Sequence, residues 1–108
     1  MATEIVDRPE AGRFELLVDG EVAGVAEYHA RGDVVVVPHT EIAVDRRGEG
    51  LGAVLVAGVL DELRRRGARV VPRCWYVAEF IEAHPAYADL VAPGHHSKLG
   101  PAPVGSDR

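Results

Sequence analysis

The sequence predicts an α/β (α+β) fold, a mixed and mainly antiparallel sheet with one long and one short helix, and three observations carry the prediction. Two strand-like runs, Arg13 to Val18 and Val22 to Tyr28, flank Asp19-Gly20-Glu21, and Asp-Gly is a favoured tight hairpin turn. The run Val34-Val35-Val36-Val37 is unbroken and β-branched, the pattern of a central strand covered on both faces. A single long helical pattern, Gly50 to Arg66, is followed at once by a short apolar run, Ala68 to Val71, as a crossover to a parallel strand requires.

Taken in order, residues 1–12 are polar with little periodicity and read as a lead-in; the domain occupies 13–92, and 93–108 reads as a flexible C-terminal tail. After the hairpin, Ala30-Arg31-Gly32-Asp33 forms a second turn. Pro38 cannot donate to a ladder, so it belongs at a bulge or bend, with His39 to Val44 continuing extended. There His39, Glu41 and Ala43 share one face, and Thr40, Ile42 and Val44 the other. In the long helix Leu51, Val54, Leu55, Val59, Leu60 and Leu63 form the apolar face, and Gly67 is a natural residue to end it. Pro72 closes the following strand. Trp75 to His84 reads as a short helix with Val77, Phe80 and Ile81 inward, stopped before Pro85.

A length of 108 residues allows one core and leaves no room for separate cofactor and substrate domains. The net charge of −5 argues against a general nucleic-acid binder, although arginines at 46, 47, 64, 65, 66, 69 and 73 concentrate positive charge in the middle third. One cysteine, Cys74, excludes an intrachain disulfide framework and a Cys-rich zinc site, and fits a reducing, cytoplasmic setting. The N-terminus lacks the basic-then-apolar order of a signal peptide, and the apolar runs are too short to span a bilayer. No metal is expected, because His95 and His96 have no partner ligands in the sequence and fall in the tail.

The stretch Asp45-Arg46-Arg47-Gly48-Glu49-Gly50-Leu51-Gly52-Ala53 joins strand to helix, and its glycines at alternating positions leave the backbone bare at the turn. No Ser, Thr, Asp or Asn stands immediately before Gly50 to cap the helix, so a bound anion can supply the cap, with the macrodipole and Arg46 and Arg47 adding positive charge. Within it, Arg47-Gly48-Glu49-Gly50-Leu51-Gly52 resembles the Arg/Gln-x-x-Gly-x-Gly/Ala signature with which the GNAT superfamily of N-acetyltransferases binds the pyrophosphate of acetyl-CoA. His39-Thr40-Glu41, Val71-Pro72-Arg73-Cys74-Trp75-Tyr76-Val77 and His84-Pro85-Ala86-Tyr87 resemble, more narrowly, a group of minimal single-domain GNAT-like enzymes.

The resemblance implies a GNAT-like acyl-CoA N-acyltransferase fold and transfer of an acetyl group from acetyl-CoA to an amine. It makes Arg46, Arg47, Gly48, Glu49, Gly50, Leu51, Gly52 and Ala53 the cofactor-binding residues, with a backbone amide of the splayed strand polarising the thioester carbonyl. By the same resemblance Cys74 is a candidate acetyl carrier, and Tyr76 a proton donor to the leaving thiolate. His39 and Glu41, on one strand face beside the expected slot, are candidate bases for an incoming ammonium. Each has a structural alternative: Cys74 as a small buried hydrophobe, His39 as a hydrogen-bonding residue, Glu41 in an exposed ion pair. Thr40 reads as packing or a local hydrogen bond, and His84 and Tyr87 as structural. Two other functions fit the same residues, a non-catalytic acyl-CoA binding or sensing module and a protein-interaction domain that has lost the ligand. The expected partners are a small-molecule or protein amine, with neither nucleic acid nor membrane, on a monomer or homodimer.

Overall fold

A computed structural model describes residues 2–93, so the tail expected over 93–108, with His95 and His96, lies outside the described residues but for Pro93. Strands β1 (Thr3–Arg8), β2 (Arg13–Val18), β3 (Glu21–Arg31), β4 (Val34–Ile42) and β5 (Arg69–Pro72) form one sheet in the order β1-β2-β3-β4-β5. Helix α1 (Leu51–Arg66) connects β4 to β5, and α2 (Trp75–Ala83) follows β5. Every pairing is antiparallel except β4 with β5. The expected mixed, mainly antiparallel sheet with one long and one short helix is what the chain adopts. Among the described residues no helix is long and apolar enough to cross a membrane.

The hairpin turn between β2 and β3 is tighter than Asp19-Gly20-Glu21, since Asp19 (φ 51) and Gly20 (φ 86) alone make it and Glu21 already belongs to β3. Both backbones are left-handed, as a two-residue turn that matches the strand twist requires. The core forms on the sheet face that carries Phe14, Leu16 and Val18 of β2 and Val35 and Val37 of β4, where Leu55, Val59 and Leu63 of α1 complete the cluster. Val34 and Val36 are only half buried, so the four-valine run is not covered equally on both faces as its composition suggests. In α1, Val54 is 38% exposed and Val56 takes a core place instead. The helix packs against α2 and residues 85–90 as well as the sheet, which makes its buried stripe broader than one face.

The N-terminal residues depart most from expectation. Residues 3–8 form not a frayed lead-in but the edge strand β1, paired along its whole length with β2 from Thr3↔Val18 to Arg8↔Arg13. The forces that seat it are only partly hydrophobic. Ile5 lies over the bare backbone of Gly58 in α1. Asp7 accepts from the Tyr28 hydroxyl at 2.6 Å and from Arg66 Nη2 at 2.9 Å. On the other face, Glu15 is buried between Arg8 and Arg13, which donate to it at 3.1 and 2.7 Å. The Arg13 guanidinium, then that of Arg8, holds the Glu15 carboxyl below the usual carboxylate range. The Tyr28 phenol is pushed up to about 12 by burial and by the bond to Asp7. Charge pairing of this kind leaves no hydrophobic periodicity for a sequence reading to find.

The last turn of α1 carries a second charged cluster. Glu62 accepts from Arg65 at 2.6 Å and from Arg66 at 2.7 Å, and those guanidiniums hold its carboxyl down to about 2. A carboxyl that titrates lower in the folded chain contributes stability that is present above its ordinary value of 4.5 and is lost as pH falls through about 2. The pairs are partly solvent-exposed, so the contribution is on the order of 1 kcal/mol, well short of what the unscreened shift implies. Thermal unfolding compared at pH 5 and pH 2.5 is expected to show a smaller drop for Glu62→Gln than for the parent chain; equal drops would contradict this account.

Candidate functional site

The β4–β5 ladder runs Val34↔Arg69, Val35↔Val70, Val36↔Val71, Val37↔Pro72 and stops. Pro38 and Pro72 have no N–H to donate, and past them only the Cys74 amide reaches across, to the Val37 carbonyl at 2.9 Å. Beyond that bond β4 continues to Ile42 while the other chain turns into α2, so the two part. On its other edge β4 carries a bulge: Glu27 pairs His39 and His29 pairs Val36, leaving Val37 and Pro38 both opposite Tyr28. The expected position of Pro38 at a bulge is what the chain shows. The extra residue reverses the alternation, so Thr40 and Ile42 join the buried face of Val35 and Val37, and His39 and Glu41 lie on the opposite one.

The signature loop leads from a short 3₁₀ turn, Val44–Arg46, into α1. Gly48 (φ 87) and Gly50 (φ 77) are left-handed, a conformation that only glycine adopts without strain. No side chain caps α1, and no acidic residue stands in its first turn, so the helix presents its positive end uncompensated from within. A cleft of about 210 Å³ opens there. Arg46, Arg47, Gly48, Gly50, Leu51 and Gly52 line it from the loop, Ile42 from the end of β4 and Tyr76 from α2, so it lies between the two parted elements. Its volume suits a diphosphate and the start of an arm, below the roughly 300 Å³ that encloses a whole drug-sized ligand.

Both arginines are engaged. Arg47 Nε donates to the Ile42 carbonyl at 3.2 Å, which ties the loop to the end of β4. Arg46 meets Glu49, its Nε at 3.2 Å from each carboxylate oxygen, and the contact raises the arginine above its ordinary value. Gly52 has a different office from the other glycines: it lies within α1, where an added Cβ would stand 3.0 Å from the Tyr76 hydroxyl and 3.2 Å from its ring. A bare backbone at 52 therefore makes room for an α2 side chain as much as for a ligand.

Cys74 is buried at the N-cap of α2, with its Sγ 3.4 Å from the Thr40 hydroxyl. His39 Nε2 and Glu41 Oε1 lie 3.6 Å apart on the other face, both partly exposed. His84 and Tyr87 are structural, as expected: His84 bonds the Phe80 carbonyl at 2.8 Å through Nδ1 and stacks on the Phe80 ring, and the Tyr87 hydroxyl donates to Asp61 at 2.8 Å.

A family model for the GCN5-related N-acetyl-transferase matches residues 13–90, from the first residue of β2 to the last turn before Val91. This chain belongs to the GCN5-related N-acetyltransferase family. No curated protein sequence matches it. Among solved structures it is similar to the ribosomal-protein-S18-alanine N-acetyltransferase from Escherichia coli, with 27% identity and a TM-score of 0.49. That match covers 54% of this chain and 38% of the other, so this chain spans well under half of that enzyme.

For a GCN5-related chain, the arrangement gathers the loop residues other than Glu49 and Ala53, with Tyr76, around one cleft, and places Cys74 outside its lining, at the point where the strands part. It sets His39 and Glu41 on the far side of the sheet. Sequence reasoning missed the Thr40–Cys74 contact, the Arg47 tie to Ile42 and the Arg46–Glu49 pair. The first had a signal in Pro38, since a bulge there turns Thr40 toward the face of Val37.

Gly52→Ala is expected to leave stability within about 1 kcal/mol of the parent, because alanine's helix preference of about 1 kcal/mol offsets the crowding. It should displace the Tyr76 ring by a few tenths of an ångström. Urea unfolding and the NMR shifts of the Tyr76 ring protons check the two halves; unmoved ring protons would show that Tyr76 does not rest on Gly52.

Proposed function

We propose that this chain is an acetyl-CoA-dependent N-acetyltransferase that transfers the acetyl group through Cys74 to an amine. The observation that carries the reading is the cleft at the uncapped start of α1, bounded by the family's glycine loop and opening between β4 and α2. The residues there fit a diphosphate: left-handed Gly48 and Gly50 leave the backbone bare, the helix end is positive, and Arg46 and Arg47 add charge. Gly48 to Ala53 would hold the pyrophosphate through their amides, and Tyr76 supplies a phenol from the α2 side. Acetyl-CoA supplies the acetyl group as an activated thioester.

The Cys74 sulfur attacks the thioester carbonyl carbon; a bond forms from Sγ to that carbon, the bond to the sulfur of coenzyme A breaks with its electron pair on that sulfur, and the thiol proton passes to it. An amine then attacks the acetyl carbon on Cys74, the Sγ–carbon bond breaks, and the Cys74 thiol is restored. Thr40, bonded to Sγ, orients the sulfur through both halves. The proton released by the amine returns to Cys74 Sγ, since His39 and Glu41 lie on the opposite face of the sheet. Burial of Cys74 excludes the bulk water that would otherwise hydrolyse the acetyl-cysteine.

Titration with acetyl-CoA at about a hundredfold its dissociation constant is expected to add roughly 2.7 kcal/mol of stability, several degrees of melting temperature, while ATP adds little. Absence of any shift with acetyl-CoA or coenzyme A at millimolar concentration would overturn the reading. With an accepted amine, Cys74→Ser is expected to abolish turnover, and mass spectrometry to find the parent acetylated at Cys74. Near-normal turnover by Cys74→Ser would instead make the transfer direct; binding without transfer to any amine would leave an acyl-CoA binding module.

A further inference from the structure

The Arg46–Glu49 pair stands at the mouth of the cleft. Arg46 lines the cleft and Glu49 does not, yet the guanidinium engages the carboxylate through two of its nitrogens, Nε at 3.2 Å from both oxygens and Nη2 at 3.2 Å from Oε1. The two side chains are 24% and 40% exposed, so the pair is held at the surface and opens without unpacking the core. The carboxylate belongs to the residue next to the N-cap of α1, a helix with neither a side-chain cap nor an acidic residue in its first turn. Glu49 is therefore the nearest fixed negative charge to that positive end in sequence, and it sits on the arginine that an incoming anion would use. Arg47 is differently placed, with its Nε already given to the Ile42 carbonyl.

We propose that Glu49 sets the affinity of this site by acting as an internal substitute for a phosphate, so that an entering diphosphate must displace it from Arg46. The inference rests on the acetyl-CoA reading and adds to it that the loop carries its own competitor. Breaking the Arg46–Glu49 pair costs free energy and leaves a carboxylate beside the guanidinium, and both effects weaken the binding of any phosphate-bearing ligand. A ligand with pantetheine contacts in the slot between β4 and α2 tolerates that penalty; a polyanion that has only its phosphates to offer does not. Exposed pairs of this type carry modest energies, so the effect is several-fold rather than thousands-fold.

Calorimetric titration of the full chain and of Glu49→Gln tests it, with coenzyme A, inorganic diphosphate and phosphate-free S-acetylpantetheine as probes. Glutamine keeps the size and removes the charge. Glu49→Gln is expected to bind coenzyme A and diphosphate about fivefold more tightly at low salt, the gain shrinking toward none near 1 M salt as charges are screened, with S-acetylpantetheine unchanged. In an Arg46→Gln background the gain from Glu49→Gln should fall to less than half, because the competed guanidinium is gone. Unchanged or weaker coenzyme A binding by Glu49→Gln, or an equal gain for S-acetylpantetheine, would overturn the inference while leaving the acetyl-CoA reading intact. Failure of both proteins to bind coenzyme A at all would overturn both.

Discussion

Two missing N–H groups govern the architecture of the site. Pro38 and Pro72 stand at the same level of neighbouring strands, where Val37 pairs Pro72, and neither can extend the parallel ladder. Among the described residues the backbone ladder there is exhausted except for Cys74 to Val37, and beyond it only the Thr40–Cys74 side-chain contact holds β4 to the chain after β5. The gap they leave, the bulge that turns Thr40 inward, and the placement of Cys74 at the head of α2 all follow from that termination. The geometry around Cys74 is thus set by backbone chemistry, and the side chains around it are arranged by consequence.

The second determinant is the positive end of α1. A helix of sixteen residues begins without a cap of its own, against the usual preference for Ser, Thr, Asp or Asn, and is tolerated because its start faces a cleft instead of the core. Around that end the loop is stiffened from two sides, Arg47 to the β4 carbonyl and Gly52 beneath Tyr76. Preorganisation of this kind means that ligand entry need not order the backbone, and the remaining adjustable group is the Arg46–Glu49 pair.

Much of this was legible in the chain, and for definable reasons. The Asp19-Gly20 turn, the valine run, the long helix with Gly67 at its end and the parallel strand after it each depend on local residue chemistry, and each was found within a few residues. The loop was legible because glycine at alternating positions before a helix has few structural uses. What escaped depends on residues distant in sequence. β1 is held by Ile5 over Gly58 and by Asp7, Arg8, Glu15 and Arg66, contacts that alternate charge and hydrophobe without period. The Thr40–Cys74 contact spans 34 positions and needs the bulge to exist before it can be inferred. Val56 replaced Val54 in the core because α1 has neighbours besides the sheet, which a two-sided helical wheel does not represent.

The spatial order of the strands repeats their order in the chain, and the region shared with the family begins at Arg13, after β1. The edge strand is therefore a separable layer. Its backbone ladder runs to β2 alone, three strands away from the parting of β4 and β5, and its side chains reach Tyr28 and Arg66 through Asp7. Opening of β1 uncovers the β2 backbone and Gly58 and breaks the Asp7 contacts to Tyr28 and Arg66, residues that belong neither to the cleft lining nor to the Cys74 contact. Exchange of the amide protons of residues 3–8 with solvent requires parting from β2 and the release of Asp7 from Tyr28 and Arg66.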